Sequence, residues 1–98
     1  MDRESVIAKL SQHRSLLNNY NVKNIRLFGS VARGEAGIGS DVDLLVEFET
    51  SAHIGLFELS RLRQELSQLL GCDVDLVTPD GLHKAMKAEI LREAIRAD

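Results

Sequence analysis

The sequence predicts a small α/β domain in which a mixed sheet of about three strands is flanked by helices. Three observations carry this. Apolar residues recur three and four apart in two long segments, the spacing of helices that bury one face. Three short runs, KNIRLFG, DVDLLVEFE and DVDLV, read as strands between helical stretches. Helix and strand therefore alternate along the chain, which places the strands in one sheet with helices against it. With 98 residues there is enough chain for one domain, spanning 1–98, and one core.

Residues 2–19 read as a helix with the apolar stripe Val6, Ile7, Leu10, Leu16 and Leu17. Asn18 to Asn21 then stop it. The first strand runs from Lys23 to Gly29, where alternation and strand formers coincide. Ser30 to Arg33 opens a short helix that Gly34 ends, and 35–40 is a loop loosened by Gly37 and Gly39. The second strand is Asp41 to Glu49. Residues 54–70 form a core-facing helix through Leu59, Leu62, Leu66, Leu69 and Leu70, with Gly71 as its stop. Asp73 to Val77 is the third strand, broken by Thr78, Pro79, Asp80 and Gly81. The last helix covers 83–97. There Glu89 and Glu93 are spaced to pair with Arg92 and Arg96 along the helix surface.

The balance of 44% apolar and 28% charged residues is that of an ordinary globular protein. A net charge of −3 argues against a chain whose main task is gripping a nucleic-acid backbone, so no direct nucleic-acid binding is expected. No apolar run approaches the length of about 20 residues that spans a bilayer, and no membrane role is expected. MDRESVIAKL lacks the apolar core of a signal peptide. The single cysteine, Cys72, excludes a disulfide within the chain. It fits a reducing cytoplasm, and its place before a strand reads as a packing thiol.

The chemistry concentrates between Phe28 and Val46. Side chains alternate along a strand, so Asp41 and Asp43 project from one face while Val42 and Leu44 take the other. Paired hard oxygen ligands suit Mg²⁺ or Mn²⁺, although a short acidic pair is also common on exposed strand ends. The third strand repeats the pattern with Asp73 and Asp75. If it lies beside the second, one of its carboxylates completes a three-acid cluster that repels itself without a cation. Two metal ions about 3.5–4 Å apart would let such a cluster clamp the oxygens of a phosphoryl transfer. A neighbouring carboxylate would also accept the proton of the attacking hydroxyl.

Gly29 and Ser30 form a turn where a strand feeds a helix, which exposes backbone N–H groups to an anion. Gly29 allows close backbone approach, and Ser30 offers an N–H and a hydroxyl, unless it serves only as a helix cap. Arg33, a turn further on, reaches a phosphate, braces the acids or makes a structural ion pair. Two other phosphate loops are ruled out. Gly29 to Gly34 has Walker A spacing, but Glu35 and Ala36 stand at the Lys and Ser/Thr places. Gly37-Ile38-Gly39 begins like a dinucleotide fingerprint, but Val42 stands where the third glycine belongs and a strand follows.

Together these residues resemble the minimal nucleotidyltransferases of the DNA polymerase β-like superfamily. The pattern is Gly29-Ser30, ten residues, then Asp41-x-Asp43, with a third acid on a later strand. The longer form GSxxRG…SDxDLLV is met through Arg33, Gly34 and Ser40, and CDVDLVTPDGL matches downstream. The resemblance assigns Asp75 over Asp73 as third acid, because the family's acid directly precedes the Leu-Val of this strand. It implies a polymerase β-like core and transfer of a nucleoside monophosphate from an NTP to an acceptor hydroxyl. Asp41 and Asp43 would bind two Mg²⁺ ions, with Asp75 sharing a metal and helping to activate the acceptor. Gly29, Ser30, Arg33 and Ser40 would form the nucleotide-binding set, with ATP as substrate.

Relatives of this size resemble the antitoxins of two-gene modules whose partner is a HEPN-domain ribonuclease toxin. Such an antitoxin adds AMP to a toxin tyrosine or simply occludes it. The chain has no second lobe to grip an acceptor, so a partner protein or a second copy would complete the site, as a hetero- or homo-oligomer. The exposed or core status of Ile54, Leu56 and Phe57 decides whether they offer a docking surface. An enzyme acting on a small molecule or an RNA end is the remaining alternative. The intact acids and Gly-Ser turn favour activity over occlusion.

Overall fold

Two helices, not one, open the chain in this computed structural model, which describes residues 2–35, 37 and 41–98. The helix α1 spans Arg3–Gln12 and α2 spans Arg14–Asn19. His13 between them has φ −114° and ψ 38°, outside the helical range. Its ring Nδ1–H donates to the Lys9 carbonyl at 2.8 Å. A polar side chain that takes a backbone carbonyl competes with helix continuation, and this breaks the single helix the periodicity predicts. The stripe survives the break: Val6, Leu10 and Leu17 are fully buried. Asn21, at φ 60°, turns the chain into the sheet in the left-handed conformation that Asn tolerates.

Strand β1 is Val22–Phe28 and leads into α3, a single turn over Gly29–Ala32. Then come β2 (Val42–Phe48), α4 (Leu56–Leu70) and β3 (Val74–Val77). The Glu58 carboxylate accepts the Gly55 N–H ahead of α4, and Gly71 closes that helix at φ 73°. One 3₁₀ turn, Pro79–Gly81, precedes α5 (Lys84–Glu93). The helix predicted over 83–97 stops there, because Ala94 is extended at φ −70°, ψ 142°. A fourth strand, β4 (Ile95–Arg96), pairs with the free edge of β1, and the Ala97 N–H donates to the Ile25 carbonyl at 3.0 Å. Burying Ala97 completely on that edge outweighs the helical propensity of the segment.

The sheet order is β3-β2-β1-β4, with β1–β2 and β1–β4 antiparallel and β2–β3 parallel. It is therefore mixed, with four strands rather than three. A bulge between Val22 and Asn24 shifts the register, so Val22 turns inward with Ile25 and Leu27 while Lys23 stays exposed. One face packs Ile25, Leu27, Val42, Leu44 and Val46 against Leu62 and Leu66 of α4, with Val6, Leu10 and Leu17 completing the core. Asp43, Leu45 and Glu47 alternate onto the opposite face. Cys72 is half-buried against the core, and burial pushes its thiol pKa up, which suits packing rather than nucleophilic attack. Among the described residues no helix is long and apolar enough to cross a membrane.

The end of the chain is pinned by charge. The Asp98 side chain is 4% exposed, with Arg14 Nη1 at 2.6 Å and Arg96 Nε at 3.1 Å. Burial pushes its pKa up, but Arg96 and Arg14 outweigh that and hold it below the ordinary value. A depressed carboxyl adds stability above the unfolded-state pKa and loses it as pH falls through the folded one. Asp98→Asn is expected to cost about 1.5 kcal/mol at pH 7, the low end for hydrogen bonds to charged groups because both arginines are partly exposed, with the difference shrinking in acid. Urea midpoints of both proteins at pH 7 and pH 3 check this; a pH-independent gap would count against it.

Candidate active site

The β2–β3 register sets Asp43 directly beside Asp75, strand neighbours about 4.8 Å apart. The Val42 N–H donates to the Asp73 carbonyl at 3.0 Å, which starts this parallel pairing. Asp41 immediately precedes β2, is exposed, and its charge acts on Asp43. Parallel pairing extends the same alternation to β3, where Asp75 rather than Asp73 stands level with Asp43. The pKa of Asp43 is raised, by burial first, then by the charges of Asp75 and Asp41, with Arg33 drawing it down. The acidic charges that bear on Asp43 are thus those of Asp75 and Asp41.

Gly29 abuts this cluster. Its φ is +77°, and a Cβ built there would overlap Asp43 Oδ2 and stand 3.0 Å from Cγ. The turn therefore needs glycine twice, for its conformation and for the space that the Asp43 carboxylate fills. Because α3 begins at Gly29 and its cap is Phe28, Ser30 lies inside the turn and is not a helix cap. Four residues add little dipole, so any anion would meet the first-turn N–H groups themselves rather than a helix field. Ser40 lies outside the described residues.

Arg33 is half-exposed and makes two ion pairs, Nε to Glu35 at 2.9 Å and Nη1 to Glu93 at 3.3 Å. It both braces neighbouring acids and offsets charge at Asp43. Glu93 Oε1 also accepts the Gly29 N–H at 3.3 Å. This corrects the sequence expectation for the last helix: Glu93 reaches across to α3, and Arg96, in β4, pairs with Asp98 at 3.1 Å. Spacing along a helix could not reveal Glu93 as a site residue, because its partner lies 60 residues away.

A divalent cation fits these residues. The charges of Asp41 and Asp75 both bear on Asp43, and all three offer hard carboxylate oxygens. As the side chains stand, no three His, Cys, Asp or Glu groups among the described residues already form a closed ligand set. Leu56 and Phe57, in the first turn of α4, are 84% and 87% exposed, so they are surface and not core; Ile54 is half-buried.

The nucleotidyltransferase domain family matches residues 8–97. The protein adenylyltransferase MntA of Thermococcus cleftensis is 38% identical over 93 residues, which is 94% of this chain and 92% of that protein. A solved structure named provisionally as a minimal nucleotidyltransferase superimposes with a TM-score of 0.82 at 43% identity, covering 97% of this chain and 95% of the other. An MNT antitoxin solved in complex with a tri-AMPylated HEPN toxin of Shewanella oneidensis shares the fold at a TM-score of 0.67 and 20% identity, over 93% of this chain and 70% of its own.

Proposed function

Since the chain belongs to the nucleotidyltransferase domain family, we propose that it is a protein adenylyltransferase that transfers AMP from ATP to a hydroxyl of a cognate HEPN toxin, acting as its antitoxin. The observation that carries this reading is the pairing of Asp43 with Asp75, with the charge of Asp41 acting on Asp43 and the Gly29 backbone against the Asp43 carboxylate. Asp41, Asp43 and Asp75 would hold two Mg²⁺ ions. Bound there, the ions would offset charge on the attacking and leaving oxygens.

The chain's own groups do the rest. Gly29 and Ser30 offer N–H groups to the triphosphate tail, Arg33 offers a guanidinium, and Ser40 completes the nucleotide-binding set. Asp75, the exposed acid of the pair, accepts the proton of the acceptor hydroxyl. The acceptor oxygen then bonds to the α-phosphorus, the bond from that phosphorus to the bridging oxygen breaks, and pyrophosphate leaves. A tyrosine is the proposed acceptor, in the cytoplasm. A partner must supply the acceptor site, and the exposed Leu56 and Phe57 are an apolar place for it to dock.

Incubation with α-³²P-ATP, Mg²⁺ and the product of the adjacent gene is expected to label that protein, as a HEPN toxin, with the label lost in Asp41→Asn. A stable complex without label would replace catalysis by occlusion. Neither label nor complex would overturn the toxin as acceptor and point to a small molecule or an RNA end.

A further inference from the structure

We propose that Glu93 is an internal competitor for the nucleotide's phosphates, and so sets the affinity and polyphosphate selectivity of the site. The inference rests on the reading of Gly29 and Arg33 as the phosphate grip. Glu93 Oε1 accepts both the Gly29 N–H at 3.3 Å and Arg33 Nη1 at 3.3 Å, and Oε2 lies 3.4 Å from the same nitrogen. A carboxylate thus occupies the two donors that a phosphate oxygen would use.

The position follows from the fold. Leu27 pairs with Ile95 in the antiparallel β1–β4 ladder. Continuing that register by two residues brings Gly29 opposite Glu93. The backbone there is tied down by the β4 pairs and the Ala97 N–H to Ile25 carbonyl bond. The side chain is not: Glu93 is partly exposed at the end of α5 and swings aside by rotamer change alone. Glu35 still holds Arg33 Nε when Glu93 leaves, so the guanidinium stays placed.

A ligand must therefore outcompete a carboxylate already in place. A triphosphate, which engages several donors at once, does so. A lone phosphate gains little over the carboxylate it displaces. The expected size follows from the modest worth of an exposed ion pair, which leaves the open state a minor fraction and weakens binding by about threefold to fivefold.

Calorimetric titration of the whole chain with a non-hydrolysable ATP analogue, with tripolyphosphate and with adenosine tests this. Glu93→Gln is expected to bind the analogue and tripolyphosphate about threefold to fivefold more tightly than the wild type, with adenosine binding unchanged. Arg33→Ala should weaken the two phosphate ligands. Glu93→Gln binding no tighter, with Arg33→Ala still weaker, would overturn competition and leave the phosphate grip standing. Arg33→Ala without effect would overturn both. An equal gain for adenosine would also sink the proposal, because it would mark a general loosening of the site.

Discussion

Asp43→Asn should cut AMP transfer by about a thousandfold and at the same time make the folded chain more stable. The loss is the size expected when one preorganised charged group is removed from a transferring centre. The gain has a separate origin. Burial, and then the charges of Asp75 and Asp41, raise the Asp43 pKa above its ordinary 3.8. A carboxyl whose folded pKa is raised adds stability below its unfolded pKa and loses it as pH climbs through the folded one. At pH 7 the ionised group is therefore a cost, and asparagine removes it. The group is partly exposed, so solvent screening limits the cost to about 1 kcal/mol or less, which is at most about 5 °C in Tm for a domain of this size. The gap between the two proteins should close as pH falls toward 3.8. Mg²⁺ should raise the Tm of the wild type and leave that of the variant unmoved. Thermal melts with and without Mg²⁺, beside a transfer assay, read all of this; wild-type transfer by the variant would remove Asp43 from the reaction.

Gly29→Ala should damage stability and activity together. A β-carbon at φ +77° costs about 1–2 kcal/mol in the left-handed region. It would also collide with Asp43 Oδ2, and the carboxylate must then move from its place beside Asp75. A total near 2–3 kcal/mol corresponds to a Tm drop of about 10–15 °C. Transfer should fall about a hundredfold even at temperatures where the variant is folded, because displaced ligands lose their geometry. Gly71→Ala is the control. It has φ +73° but nothing within 4 Å of the added carbon and lies at the end of α4. It should pay only the conformational cost and keep its transfer rate. Equal loss of transfer in the two variants would refute the contact with Asp43 as the cause.

Much of this site is legible in local chemistry. Period two alone sets Asp41 and Asp43 on one face and Val42 and Leu44 on the other. The positive φ of Gly29 sits where the sequence puts a Gly-Ser turn, and the leucines of α4 bury as their spacing requires, with Leu62, Leu66 and Leu70 innermost. These follow from each residue and its near neighbours. Other features belong to the assembled sheet. The two-residue β4 carries no pattern of its own; it exists because β1 offers an unpaired edge. The helix predicted through Ala97 ends at Glu93 for that reason, and the same register carries Glu93 to Gly29. The choice of Asp75 as the neighbour of Asp43 is also a matter of register between β2 and β3, since Asp73 and Asp75 alternate identically along their own strand. Periodicity decides which way a side chain faces; only pairing between strands distant in sequence decides which side chain it meets.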